Sequence, residues 1–209
     1  MPELNANFFE AFKEFKLITI VILAVLVLIA ILGSLKKEEN KFDTRMMVYG
    51  GLCISLAFVL SYIRIFHWPQ GGSITPASML PLVIFASMFG VVPGIIAGIA
   101  SGFLQLIQDP YIVHWAQVLL DYPLAFGAIG IAGMFKKNLA LGALVGGFGR
   151  MFFHFLSGVI FFGQYAPEGM SPYLYSLMVN GILIGTETLI CVLIAMVPQF
   201  KAMSKRVSA

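Results

Sequence analysis

"QDPYIVHWAQVLLDYPLAFGAIGIAG", residues 108–133, places Tyr111, His114, Trp115, Gln117, Asp121 and Tyr122 at the head of an apolar run. The second half of the stretch is charge-free and suits hydrocarbon. Asp121 does not, because an ionisable group inside a bilayer costs about 3 kcal/mol on insertion scales. A carboxylate kept in such surroundings marks a functional site by default. The question is what kind of protein surrounds it.

Of 209 residues, 59% are apolar and 11% charged, with a mean hydropathy of +0.93. A water-soluble globule cannot hide that much hydrocarbon. A spanning helix takes about 20 mostly apolar residues, and backbone in lipid must satisfy its own hydrogen bonds. No alternating pattern of a membrane barrel is present. The expected fold class is therefore an all-α integral membrane protein.

The hydropathy predicts seven spans, at 17–35, 46–66, 78–90, 92–107, 114–134, 138–163 and 174–198. The third and fourth are short and share a turn at Val91 to Gly94, which reads as tilted or broken helices. The first, "LITIVILAVLVLIAILGSL", has almost no polar atoms and reads as an added anchor. A cleaved signal peptide is the alternative, but no A-x-A-like site follows. The expected organisation is an N-terminal anchor segment at 1–45, a six-helix functional core at 46–200 and a tail at 201–209.

Lys36, Lys37, Lys41 and Arg45, then Lys136 and Lys137, then Lys201, Lys205 and Arg206 fall on one side of a seven-span chain. The positive-inside rule makes that side cytoplasmic, with an extracellular N-terminus. The net charge of +3 is too small and scattered for nucleic acid. Cys53 and Cys191 both fall in spans and read as small buried side chains rather than a disulfide. Gly94, Gly98 and Gly102 repeat at the spacing that lets helices approach closely. Gly51 and Ser55 share that spacing on the first core helix, where they face either the bundle or a partner.

If residues 108–123 are helical, Tyr111, Trp115, Val118 and Tyr122 form one stripe beside another of His114, Gln117 and Asp121. Tyr111 or Trp115 alone would read as an interfacial aromatic. A second cluster, "RMFFHFLSGVIFFGQYAPEGMSPYLYSLMVN" at 150–180, brings His154, Gly158 and Phe161 or Phe162 onto one face. Asn180 enters from the next helix, with Ser176 one turn above. At about 1.5 Å per residue, Asp121 lies about 20 Å above the cytoplasmic ends, and His154 and Asn180 about 24–26 Å. Arg150 and Glu187 fall at about 18 Å and 16 Å on the same count, which predicts a buried structural ion pair beneath the pocket. Arg150 with Asp121 is the rival pairing.

Aromatic faces attract a cation, by about 2 kcal/mol or more when desolvated. A carboxylate offsets its charge, and Asn or His reads a heteroaromatic edge. The layer therefore suits a small aromatic cation and disfavours an anion. It requires no metal.

The stretches "GGSITPASMLPL" at 71–82, "YIVHWAQVLLDYPLAFGAIGIAG" at 111–133 and "HFLSGVIFFGQYAPEGMSPYLYSLMVNG" at 154–181 closely resemble the thiamine-specific S components of energy-coupling factor (ECF) vitamin transporters. The resemblance implies a six-helix core with an occluded thiamine site near the extracellular side, here preceded by an extra transmembrane helix. It assigns ligand contacts to Asp121, Tyr122, Tyr111, His154, Phe162, Tyr175 and Asn180, with Trp68 as a lid residue in the first outer loop, 64–76; Trp115 joins the site from its place in the aromatic stripe beside Asp121. It implies no cofactor, only thiamine as transported ligand in a bacterial plasma membrane. The chain has no G-x-x-x-x-G-K-[ST] phosphate loop. ATP hydrolysis accordingly belongs to two ECF ATPase subunits on a transmembrane scaffold subunit, with Gly51 and Ser55 the nearest match to the docking repeat.

Two departures stand out. Asp121 replaces a common Glu and is one methylene shorter, so its reach calls for a shifted helix. Phe162 stands where Trp is expected, which weakens the cation–π attraction but keeps a stacking face. Tyr175, five residues from Asn180, is expected to act from a loop or irregular first turn. Another vitamin, an independent secondary transporter and an intramembrane enzyme using His154 and Asp121 are the alternatives.

Overall fold

The computed structural model describes residues 43–200. The anchor expected at 17–35 and the tail at 201–209 lie outside the described residues. Six helices follow one another: α1 (Thr44–Ser61), α2 (Leu80–Phe89), α3 (Val91–Gln108), α4 (Trp115–Phe135), α5 (Leu139–Phe161) and α6 (Pro172–Met196). Five of them have 18 to 25 residues and the hydropathy to cross a membrane. The elements reproduce the expected all-α membrane core.

Helix α2, with 10 residues, is the exception. It is about 15 Å long against a hydrocarbon core of about 30 Å, so the expected span at 78–90 is not a single crossing helix. Thr75, Ala77, Ser78 and Met79 precede it as irregular, buried chain. Irregular backbone is tolerated at membrane depth where protein covers and satisfies it. Glu187 of α6 supplies that satisfaction: it accepts from the Thr75 hydroxyl at 2.8 Å, the Ser78 hydroxyl at 2.6 Å and the Met79 N–H at 3.3 Å.

The turn between α2 and α3 also shifts from its expected place. It sits at Gly90, whose φ of 98° is a conformation side-chain-bearing residues rarely adopt. Val91 to Gly94 form the first turn of α3 instead. Pro93 is accommodated there because the early helical N–H groups have no partner to lose.

The glycine repeat of α3 holds that helix against α4. A Cβ on Gly98 would fall on the Phe126 carbonyl, and one on Gly102 would stand 2.5 Å from the Tyr122 oxygen. Such backbone proximity gives dispersion contact in place of the hydrophobic effect that lipid withholds. Tyr122 and Phe126 are thereby set at fixed height beside α3.

Helix α4 is not uniform. His114 caps it, with its Nδ1 accepting from the Ala116 N–H at 3.1 Å. Leu120–Leu124 form a π-helical turn containing Pro123, and Ile129–Phe135 tighten to 3-10 geometry. Tyr111 lies in the preceding loop, so the expected helical stripe from Tyr111 through Tyr122 does not form.

The first outer connection is a small antiparallel hairpin, β1 (Phe66–His67) with β2 (Ser73–Ile74). Gly71 and Gly72 turn it at φ 86° and 87°. On α1, Met47, Val48, Leu52, Leu56 and Val59 are exposed, with Gly51 and Ser55 also exposed among them. Cys53 and Cys191 are free thiols.

Candidate ligand-binding site

A cavity of about 160 Å³ lies among α3–α6 beneath the hairpin. Asp121 projects into it from the π-helical turn, where the wider helix re-aims the side chain. Its Oδ2 accepts from Gln117 Nε2 at 2.7 Å, and its Oδ1 faces His154 Nδ1 at 3.1 Å. In the tautomer whose Nδ1–H donates to Asp121, Nε2 is an acceptor. That Nε2 is buried and has no hydrogen-bond partner within the protein. Trp68 Nε1 is in the same position. Buried polar atoms are almost always paired in a finished structure, so these two are available to water or a polar ligand in the cavity.

The remaining walls are aromatic and amide. Tyr111 and Phe162 face each other with ring centroids 5.7 Å apart, and Tyr165 continues the row at 6.3 Å from Phe162. Trp68 and Phe162 pack on a buried cluster of Tyr175, Val179, Leu183 and Ile184. Tyr122 extends its hydroxyl to the loop, accepting from the Tyr111 N–H at 3.0 Å and donating to the Asp109 carbonyl at 3.1 Å. The Tyr111 phenol is held above its ordinary pKa, chiefly by a side-chain hydrogen bond with Tyr165, and so stays neutral.

Asn180 is fixed by its amide nitrogen, which donates to the His154 carbonyl at 3.2 Å and the Ser176 carbonyl at 3.0 Å. Gly158 permits this, since a Cβ there would strike the Ser176 hydroxyl. Tyr175 belongs to the regular first turns of α6, capped by Ser171, rather than to a loop or irregular turn. It reaches the cavity because it lies on a buried face of that helix.

Arg150 Nη1 lies 2.9 Å from Glu187 Oε2, and the guanidinium sits 4.5 Å from the Phe126 ring centroid. The carboxylate is 1% exposed. Asp121 faces His154 and Gln117, so the rival Arg150–Asp121 pairing is not the one formed. Both members of the Arg150–Glu187 pair line the cavity floor.

Trp115 is not brought to the cavity. It is 55% exposed and contacts the His114 ring at 5.3 Å. Gly51 and Ser55 stand on the outer face of α1, and a Cβ on Gly51 would meet nothing within 4 Å.

Sequence reasoning left several cavity residues unassigned. Gln117 is grouped with Asp121 by their i,i+4 spacing but is given no ligand contact. Arg64 and Asp109 form another pair, 2.9 Å apart and lining the same cavity. No sequence pattern marked the Thr75 and Ser78 hydroxyls as partners of Glu187.

Fold and cavity together define a polytopic helical membrane protein with a small polar and aromatic cavity between its helices. The chain belongs to the thiamine transporter protein family (Thia_YuaJ), whose profile matches residues 47–207. It is 32% identical over 143 residues to the thiamine transporter ThiT of Bacillus subtilis, covering 60% of this chain and 74% of that protein. It is 33% identical over 123 residues to ThiT of Lacticaseibacillus paracasei, covering 49% of this chain and 61% of the relative. The solved structure of ThiT from Listeria monocytogenes superposes with a TM-score of 0.69 at 25% identity, covering 79% of this chain and 98% of that one.

Proposed function

We propose that this chain binds thiamine from the extracellular side and is the substrate-binding membrane subunit of an ECF-type transporter. The observation that carries the reading is the Asp121–His154 pair, at 3.1 Å, inside an aromatic cavity. A carboxylate beside aromatic faces suits the permanent charge of a thiazolium. The free His154 Nε2 and the Asn180 amide suit the edge of an aminopyrimidine. Tyr111, Tyr122, Phe162 and Tyr175 supply the stacking walls, and Trp68 closes the roof from the hairpin.

In this reading residues 46–200 form the binding domain, 1–45 carry an additional anchor and 201–209 a cytoplasmic tail. The protein resides in a bacterial plasma membrane with its N-terminus outside. It catalyses no reaction. Import is driven by two ATPase subunits through a membrane scaffold, and the outer face of α1 around Gly51 and Ser55 is the docking surface. The Arg150–Glu187 pair is structural: it holds the unwound entry to α2 under the cavity.

The test is a titration of purified, ligand-stripped protein with thiamine, following Trp68 fluorescence, with riboflavin as control. Saturable quenching at nanomolar to low micromolar thiamine, shifted to higher concentration in Asp121→Ala, is expected. No heat and no quenching in a folded sample would overturn the thiamine assignment. Uptake by this chain alone in proteoliposomes, driven by a proton or sodium gradient, would overturn the ECF assignment.

A further inference from the structure

Gln117 is 1% exposed, and its amide is nearly saturated. One Nε2 hydrogen goes to Asp121 Oδ2 at 2.7 Å and the other to the Tyr111 carbonyl at 3.0 Å. Oε1 accepts from the Val113 N–H at 3.2 Å. Both ends of the amide are therefore fixed, and with them its orientation. The Asp121 side has a second constraint from His154. The loop side has a second constraint from the Tyr122 hydroxyl, which bridges the Tyr111 N–H and the Asp109 carbonyl.

We infer that Gln117 is a positioning residue for the ligand-binding carboxylate, tying the rotamer of Asp121 to the folded state of loop 109–113. The inference rests on the proposed role of Asp121 in binding thiamine. Asp121 is short, and it lines the cavity from the π-helical turn. A carboxylate free to rotate there would have to be ordered on binding, whereas one already held by a fixed amide presents its charge without that loss. The same amide holds the backbone on either side of Ile112, next to the Tyr111 ring that packs against Phe162. Loop conformation and carboxylate orientation are then coupled through one amide.

The experiment is a double-mutant cycle on the full chain in detergent, with thiamine affinity measured by calorimetry up to millimolar concentrations. Gln117→Met is expected to weaken binding about 10- to 100-fold, as for a lost hydrogen bond to a charged group. In the Asp121→Ala background the same change is expected to have less than about a twofold effect, because nothing remains to be positioned. A residue that merely supports the loop would act equally in both backgrounds, so an additive cycle overturns the inference. Native affinity in Gln117→Met overturns it too. Should Gln117→Met not fold, Gln117→Asn enters the same cycle, since its shorter amide cannot span Asp121 and the loop together. Failure of the thiamine reading is separately visible as no thiamine binding by the folded parent chain, and failure of the Asp121 role as native affinity in Asp121→Ala.

Discussion

At the scale of single residues, Asp121 and its partners decide how a cation is held in a low-dielectric cavity. Replacing Asp121 with Asn keeps the shape and removes the charge. Thiamine affinity measured by calorimetry is expected to fall about 10- to 150-fold, the range for a charge-assisted hydrogen bond. Phe162→Trp is expected to act in the opposite direction. Trp is the strongest cation–π partner, and Phe162 lines the cavity beside Tyr111. A gain of about twofold to tenfold in affinity would agree; a loss would show that the ligand charge does not lie against this ring. Much of this site was legible in the sequence because acid, amide and histidine in hydrocarbon are costly and stand out. Trp115 misled because aromatic side chains are equally at home in a binding wall and at a lipid interface.

At the scale of elements, sequence and structure part company where backbone geometry departs from regular helix. Hydropathy located α1, α3, α4, α5 and α6, since a spanning helix is a long and simple signal. It could not report the π-helical turn at Leu120–Leu124 or the unwound chain at Thr75–Met79. Those depend on which distant groups satisfy the backbone, and Glu187 is more than 100 residues away from Thr75. Two predictions follow the same logic. Gly98→Leu would drive a side chain into the Phe126 carbonyl and is expected to abolish a monodisperse folded species in size-exclusion chromatography. Arg150→Ala would leave Glu187 buried without its charge partner, at a cost of about 3–5 kcal/mol. A markedly lower thermal midpoint in detergent is expected, and a stable variant that only binds thiamine weakly would show that Arg150 is a ligand residue.

At the scale of the whole molecule, binding and import separate. The cavity is complete within the described chain, whereas the long apolar face of α1 is left uncovered within it. Gly51→Phe adds bulk where a Cβ meets nothing, so the variant is expected to fold and to bind thiamine as the parent does. In cells carrying the scaffold and ATPases it is expected to lose most thiamine accumulation, measured with labelled vitamin. Undiminished accumulation would place docking elsewhere.

The two tryptophans give this protein a pair of independent optical probes. Trp68 sits against the cavity, while Trp115 is 55% exposed at the start of α4. Brominated lipids would quench Trp115, and ligand would quench Trp68. Read in turn in Trp115→Phe and Trp68→Phe variants, the two signals separate occupancy from immersion, so a tilt of the subunit during turnover becomes visible without an added dye.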